Sequence, residues 1–334
     1  RTAPADPPQQ QRNFTLRPLV LALSCRPESR KHVAYSRGAK NMTASGVELS
    51  VIDHCQSLTD SRSWAYKRAW MDEVSAICAR YDRGLAGERI LEVGAGVHNP
   101  LGSALIALSW GASAAEAVEP SDLEIGHDRS ALMCALLESS VASPELVGTR
   151  PAIQALLARF GFKDGGPSLE TEIPTVHRSI AEIVDAARKY DIVHSNATLE
   201  HVQQFDTFLA SLWEVSAPGA VHIHKVDFID HDYYTMVDPQ PEDAFKFLLD
   251  GGAPANATCN RLRIDDMLAS FEAAGFGLVA IHKRWSIPFP SELRPRLQLE
   301  WTECSDESLS TIDAVLVHRR RSSHPAPAPK EEVP

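Results

Sequence analysis

RILEVGAGVHN, at residues 89–99, decides how the chain is read. A short apolar run ends in a glycine turn, which is the pattern of a buried strand. Gly94 and Gly96 let a ligand approach the backbone. Residues 101–110 then read as a helix stopped by Gly111, and its N-terminus favours polar or anionic groups. Next, 114–118 reads as a second strand ending at Glu119, 25 residues after Gly94. A carboxylate there can take both hydroxyls of a ribose, so a nucleoside cofactor is expected. Two kinds use such a strand pair. The dinucleotide fingerprint needs a small third residue, and here the count reaches Asn99, whose side chain obstructs close helix–strand packing. That weakens an NAD(P)-dependent oxidoreductase, which stays an alternative beside a non-catalytic scaffold.

Outward from this pair, the pattern alternates. Residues 61–81 predict a helix with Tyr66, Trp70, Val74, Ile77 and Tyr81 on one face; this stripe packs in the core, while Trp64 and Lys67 reach toward the site mouth. Further strands are expected at 173–176, 191–194, 220–228, 276–281 and 312–317. Helices are expected from Ser179, with Glu182 completing a capping box, to about 189, then at 198–215 and 264–274. The fold class is therefore α/β: a doubly wound, seven-stranded Rossmann-like sheet with an N-terminal helical segment. Its ligands bind outside the carboxyl ends of the strands. Residues 121–172 are too long for one connection and predict an insertion over the site, with helices at 128–139 and 151–160.

Composition bounds the rest. The chain has 334 residues, 44% hydrophobic and 23% charged, which excludes a disordered or fibrous protein. A net charge of −11 repels phosphate backbones, so no nucleic-acid partner is expected. No apolar run reaches the roughly 18–20 residues of a membrane helix. The cysteines at 25, 55, 78, 134, 259 and 304 form no CxxC pair and no zinc spacing, so reduced thiols in a cytoplasmic protein are expected. Residues 1–46 carry eight Lys/Arg and two acids, a basic leader that reads as a loose arm, or as the remnant of an organellar transit segment. Residues 319–334 are Pro-rich and read as a disordered tail, which leaves one domain over 47–318.

ILEVGAG (90–96), AVEPSD (117–122), YDIVHSNATLEHV (190–202) and FEAAGF (271–276) occur in an order that resembles the class I S-adenosylmethionine-dependent methyltransferases, in particular their ubiquinone-type branch. The resemblance spans roughly residues 60–318. It implies S-adenosyl-L-methionine as cofactor and in-line transfer of a methyl group to an O, N or S nucleophile of a small-molecule acceptor. Glu92, Gly94, Gly96, Glu119 and Asn196 are the cofactor residues it implies. For Glu92 the residue-level reading is a buried carboxylate accepting backbone N–H bonds of the glycine loop. The chain departs from the pattern at His98, which would face the cofactor carboxylate or the substrate. It departs again after the third strand, where Ser179 replaces an acid and would serve adenine through its hydroxyl.

A hydroxyl, amine or thiol acceptor must lose a proton, which a positioned histidine can take. His201, in the LEHV segment, and His231, between Asp230 and Asp232, are the candidates, the flanking acids being expected to raise the pKa of His231. Each competes with a structural reading: a hydrogen bond holding the loop for His201, a solvated charge cluster for His231. His222 and His224, two residues apart, share a strand face and lack a third ligand, so no metal site is expected. Phe245 and Phe247, on a helix started by Pro241, and Trp285 read as ordinary packing rather than acceptor pocket. Residues 227–260 and the insertion would form that pocket. The oligomeric state stays open, a homodimer among the options.

Overall fold

The computed structural model describes residues 61–97, 99–121, 136–137, 139–160, 174–251 and 259–322. The basic leader, His98 and most of the expected helix at 128–139 lie outside the described residues.

Helix α1 (Ser61–Ala79) leads into β1 (Arg89–Val93), α2 (Gly102–Ser109) and β2 (Ala114–Val118). The described part of the insertion is helical at 136–137 and 139–142 and then forms α3 (Pro144–Val147) and α4 (Arg150–Arg159). Then follow β3 (Val176–His177), α5 (Ile180–Asp185), β4 (Tyr190–Asn196), α6 (Phe205–Val215) and β5 (Ser216–Asp227). The chain closes with α7 (Ile264–Ala273), β6 (Phe276–Ser286), α8 (Asp306–Ser310) and β7 (Thr311–Arg320). The sheet order is β3-β2-β1-β4-β5-β7-β6, parallel except for β7, which runs antiparallel to both β5 and β6. The order reverses direction at β1, between β2 and β4, and a ligand crevice opens at such a point.

Apolar layers cover both faces. Trp70, Val74, Leu105 and Ile106 of α1 and α2 pack with Ile192, Val221 and Ile223 on one face. On the other, Leu209, Leu212 and Trp213 of α6 and Phe271 of α7 pack with Leu91, Val193 and Leu316. At about 25 cal/mol per Å², burying each such side chain stabilises the fold by about 1.5–3 kcal/mol. A third cluster of Phe245, Leu248, Leu293, Leu297 and Trp301 is built by the short 3-10 helices that follow β5 and β6.

Several boundaries differ from the sequence reading. The third strand is Val176–His177, later than expected, and the LEHV segment forms a separate 3-10 turn, Leu199–His201, ahead of α6. Strand β7 takes in Arg319 and Arg320, assigned above to the tail; Arg320 pairs with Phe276 and its guanidinium lies 4.0 Å from the Trp213 ring centroid. On α1, Tyr66 is 54% exposed, whereas Trp64 and Lys67 are buried, so the core stripe is rotated toward 64, 67, 70, 71 and 74. The capping box does not form: the Ser179 side chain caps nothing, and Glu182 accepts from Arg178 N instead. Ile153 and Leu156 of α4 join the core beside α1 and α2, so this part of the insertion builds the helical layer rather than covering the strand ends.

Candidate active site

Both loop glycines sit in the left-handed region, Gly94 at φ +70° and Gly96 at +74°. They differ in surroundings. A Cβ on Gly94 would collide with the Thr198 side chain, so Gly94 is what allows the β1 and β4 loops to meet. A Cβ on Gly96 would point into open space, so there the backbone is laid bare to a ligand. Gly94 N and Ala95 N donate to Val118 O at 2.8 and 3.1 Å.

Glu119 is 6% exposed at the end of β2. Its Oε2 accepts from Gly96 N at 2.7 Å and its Oε1 from Ser121 N at 3.0 Å. A carboxylate offers about four lone-pair sites. Each oxygen therefore keeps capacity for a further donor, as the paired hydroxyls of a ribose require. Asn196, at the end of β4, holds a buried Oδ1 without a hydrogen-bond partner among the described residues. A bared loop backbone, a half-used buried carboxylate and an orphaned amide oxygen together fit a nucleoside-bearing cofactor.

Glu92 departs from its expected bonding. Its Oε1 accepts from Lys67 Nζ at 2.7 Å and from Ser103 Oγ at 3.0 Å, not from backbone N–H groups. Lys67 also donates to Ala95 O at 2.7 Å, so a cation on α1 braces the glycine loop from below. Burial pushes the Glu92 carboxyl up, while Lys67 pulls it down. The sequence carried a signal for this lysine: it sits in the middle of a stripe of buried aromatic and apolar residues.

Asn99 does not obstruct the helix. It is 2% exposed, and α2 opposes it with Gly102, where a Cβ would come within 2.7 Å of Asn99 Nδ2. The missing small residue at one position is replaced by a glycine three residues on.

The candidate bases come from different strand ends and meet: the His201 and His231 rings lie edge to face with centroids 5.0 Å apart. His201 is exposed and His231 half-buried. Asp230 caps the turn His231–Thr235, its Oδ1 accepting from Asp232 N at 2.9 Å. Glu200, 4% exposed, lies beneath, its Oε1 3.9 Å from His231 Nε2. Burial and then Asp227 raise the Glu200 pKa well above the usual carboxylate range. At the end of β5, Lys225 Nζ lies 3.0 Å from Asp313 Oδ2 and 3.9 Å from Asp227 Oδ1. Burial, against the pull of Lys225, carries Asp313 up to about 7.

The remaining candidates stand apart. Ser179 is exposed at the start of α5. His222 and His224 are wholly buried against Phe276 and Phe271 and hydrogen-bond Ser216 Oγ and Ser195 Oγ at 3.0 and 2.8 Å, as second-layer core residues. Phe245 and Phe247 are core, and Trp285 is 43% exposed. Sequence reasoning sent Lys67 toward the site mouth without finding its partner Glu92, and it missed Thr198, Cys259 and the Lys225–Asp313 pair, whose positions depend on long-range pairing.

A family model described as "Methyltransferase domain" matches residues 62–281. Among solved structures, the chain is similar to magnesium protoporphyrin IX methyltransferase from Synechocystis PCC 6803 with bound SAH, at 13% identity and a TM-score of 0.40, over 85% of this chain and 90% of that one. It is also similar to an S-adenosylmethionine dependent methyltransferase from Mesorhizobium loti, at 13% identity and a TM-score of 0.36, over 73% of this chain and 96% of that one. No curated protein matches the sequence.

Proposed function

We propose a function on the premise that the chain belongs to the methyltransferase domain family and is an S-adenosylmethionine-dependent methyltransferase: it methylates an O, N or S nucleophile of a small-molecule acceptor by in-line displacement. The cofactor supplies an electrophilic sulfonium methyl, and the protein supplies alignment, exclusion of water and a route for the proton.

On this reading Glu119 takes the ribose hydroxyls, while Gly94 and Gly96 keep the loop backbone within reach of the cofactor. Lys67 and Glu92 hold that loop in shape, and Asn196 offers its unpaired Oδ1. Ser179, exposed at the start of α5, would serve the adenine through its hydroxyl. The acceptor enters over the ends of β4 and β5, among residues 227–260, and the proton it loses passes to His201 or His231. We read the protein as a cytoplasmic enzyme acting without nucleic acid, its domain running from about residue 47 to the end of β7 at Arg320. The observation that carries the acceptor reading is the meeting of His201 and His231, 5.0 Å apart, from two strand ends beside the glycine loop.

Calorimetric titration with S-adenosylhomocysteine, with NADH and NADPH alongside, is the test of the cofactor site. Micromolar binding of the first alone is expected. Transfer of a labelled methyl group to panels of hydroxylated, amino and thiol compounds then identifies the acceptor. Labelling of nucleic acid or protein in preference to every small acceptor would sink the acceptor class.

A further inference from the structure

Three segments distant in sequence bring metal-ligating atoms to one spot at the carboxyl edge of the sheet. His201 closes the turn after β4, His231 opens the turn after β5, and Cys259 lies shortly before α7. Cys259 Sγ lies 3.9 Å from His201 Nδ1 and 3.9 Å from His231 Nδ1. All three ligand atoms fall within 4.8 Å of one another. We propose that His201, His231 and Cys259 bind a zinc ion.

The geometry favours coordination over hydrogen bonding. A thiol could donate to one imidazole and accept from the other, but sulfur is weak in both roles, whereas a metal would bind all three atoms strongly. With Zn–S about 2.3 Å and Zn–N about 2.0–2.1 Å, a tetrahedral site puts sulfur and nitrogen roughly 3.6 Å apart. The observed 3.9 Å separations are close to that edge. Softness decides the metal: a thiolate with two imidazoles suits zinc, whereas magnesium and calcium need oxygen.

A second observation comes from the other side of the His231 ring. Its Nε2 lies 3.9 Å from Glu200 Oε1, and Glu200, Asp227 and His231 each place one ligand atom within 4.8 Å of the other two. His231 Nε2, both Glu200 oxygens and Asp227 Oδ1 are buried without hydrogen-bond partners among the described residues. A zinc-bound histidine gives its distal N–H to a carboxylate, which fixes the tautomer and strengthens the ligand. Coordination at Nδ1 leaves the proton on Nε2, facing Glu200, and gives these orphaned atoms a purpose.

Three protein ligands leave a fourth position open, as in zinc sites that perform chemistry. An acceptor oxygen or sulfur taking it would lose its proton to solvent water more readily, and with zinc bound His201 and His231 would act as its ligands instead of as free bases. That role rests on the methyl-transfer reading; zinc binding itself does not.

The test uses the full chain, stripped with a chelator and titrated with zinc by calorimetry and with cobalt by absorption spectroscopy. One ion per chain is expected, with a thiolate-to-cobalt charge-transfer band that Cys259→Ser abolishes. His201→Gln and His231→Gln should each weaken zinc binding about 100-fold or more, and Glu200→Gln about 10–100-fold. Circular dichroism establishes that each variant is folded. Wild-type protein that binds no zinc, or cobalt bound without a thiolate band, overturns the site. S-adenosylhomocysteine titrated in parallel separates the two ideas: its failure to bind sinks methyl transfer and leaves the zinc result standing.

Discussion

Gly96 donates its backbone N–H to the Glu119 carboxylate at 2.7 Å, so the loop after β1 and the end of β2 form one unit. The residue proposed to receive the ribose therefore also shapes the loop proposed to receive the rest of the cofactor. Glu119→Ala removes two charge-assisted contacts to the ligand and frees two N–H groups. We expect S-adenosylhomocysteine affinity to fall about 100-fold or more, at about 1.5–3 kcal/mol per contact. Calorimetry on folded variant decides it; an unchanged Kd removes the ribose assignment.

Gly94→Ala meets two separate penalties. The left-handed backbone costs about 1 kcal/mol, and the new methyl collides with Thr198. Urea denaturation should show a loss of about 2–4 kcal/mol, of which Thr198→Ala in the same chain restores the part due to Cγ2 and Oγ1 and leaves the backbone part and the residual Cβ contact. Losses that simply add would show that the two side chains do not meet.

Lys67→Met strands a buried carboxylate. Loss of one partner of such a pair costs about 3–5 kcal/mol, whereas replacing both by apolar residues is far milder. Lys67→Met is thus expected to be less stable than Lys67→Met/Glu92→Leu. Equal stability of the two would mean that Glu92 finds another partner or water.

The buried histidines make stability sensitive to acid. Burial holds His194, His222 and His318 down to about 3, and His224 well below its ordinary value. The unfolded chain takes up these protons at about 6.5, and the folded chain does not until far lower pH. Stability is therefore complete above about pH 6.5 and falls as the pH drops from there toward 3, by roughly 1.4 kcal/mol per histidine at pH 5.5. Denaturant titrations at pH 7.5 and 5.5 measure the slope. His318→Phe should flatten it, and a slope that does not change would show that His318 is protonated in the folded state.

His201→Ala and His231→Ala should leave cofactor affinity unchanged while lowering turnover about 100-fold or more. If the two act as a unit, the double variant is hardly worse than either single one. Single-turnover methyl transfer is the measurement, and full activity in both would exclude them from the chemistry.

The strand-and-glycine signals of the sheet were legible because each is local: RILEV ends at Gly94, and the second strand ends at Glu119. So was the buried face shared by His222 and His224, which follows from strand alternation alone. Tyr66 and Lys67 were harder. Both fit a helical stripe, and which of them is buried depends on Glu92 lying under Lys67, a contact across 25 residues. Asn99 looked like an obstacle because the fingerprint counts a fixed position, whereas packing needs only a small residue somewhere opposite, here Gly102. The approach of Cys259 to two histidines has no sequence spacing at all, since it arises where three loops converge.

Strand β7 lies between β5 and β6, and among the described residues β6 pairs with no other strand. As the chain leaves the ribosome, β6 emerges complete yet has nothing to bind until the residues up to Arg320 follow. Over that interval β5 is an open edge and β6 an unpaired ribbon that mixes apolar residues with His282, Lys283 and Arg284. The emergence of β7 is thus the step that closes the sheet, and chaperones that shield unpaired strands have their work set by the interval between β6 and β7.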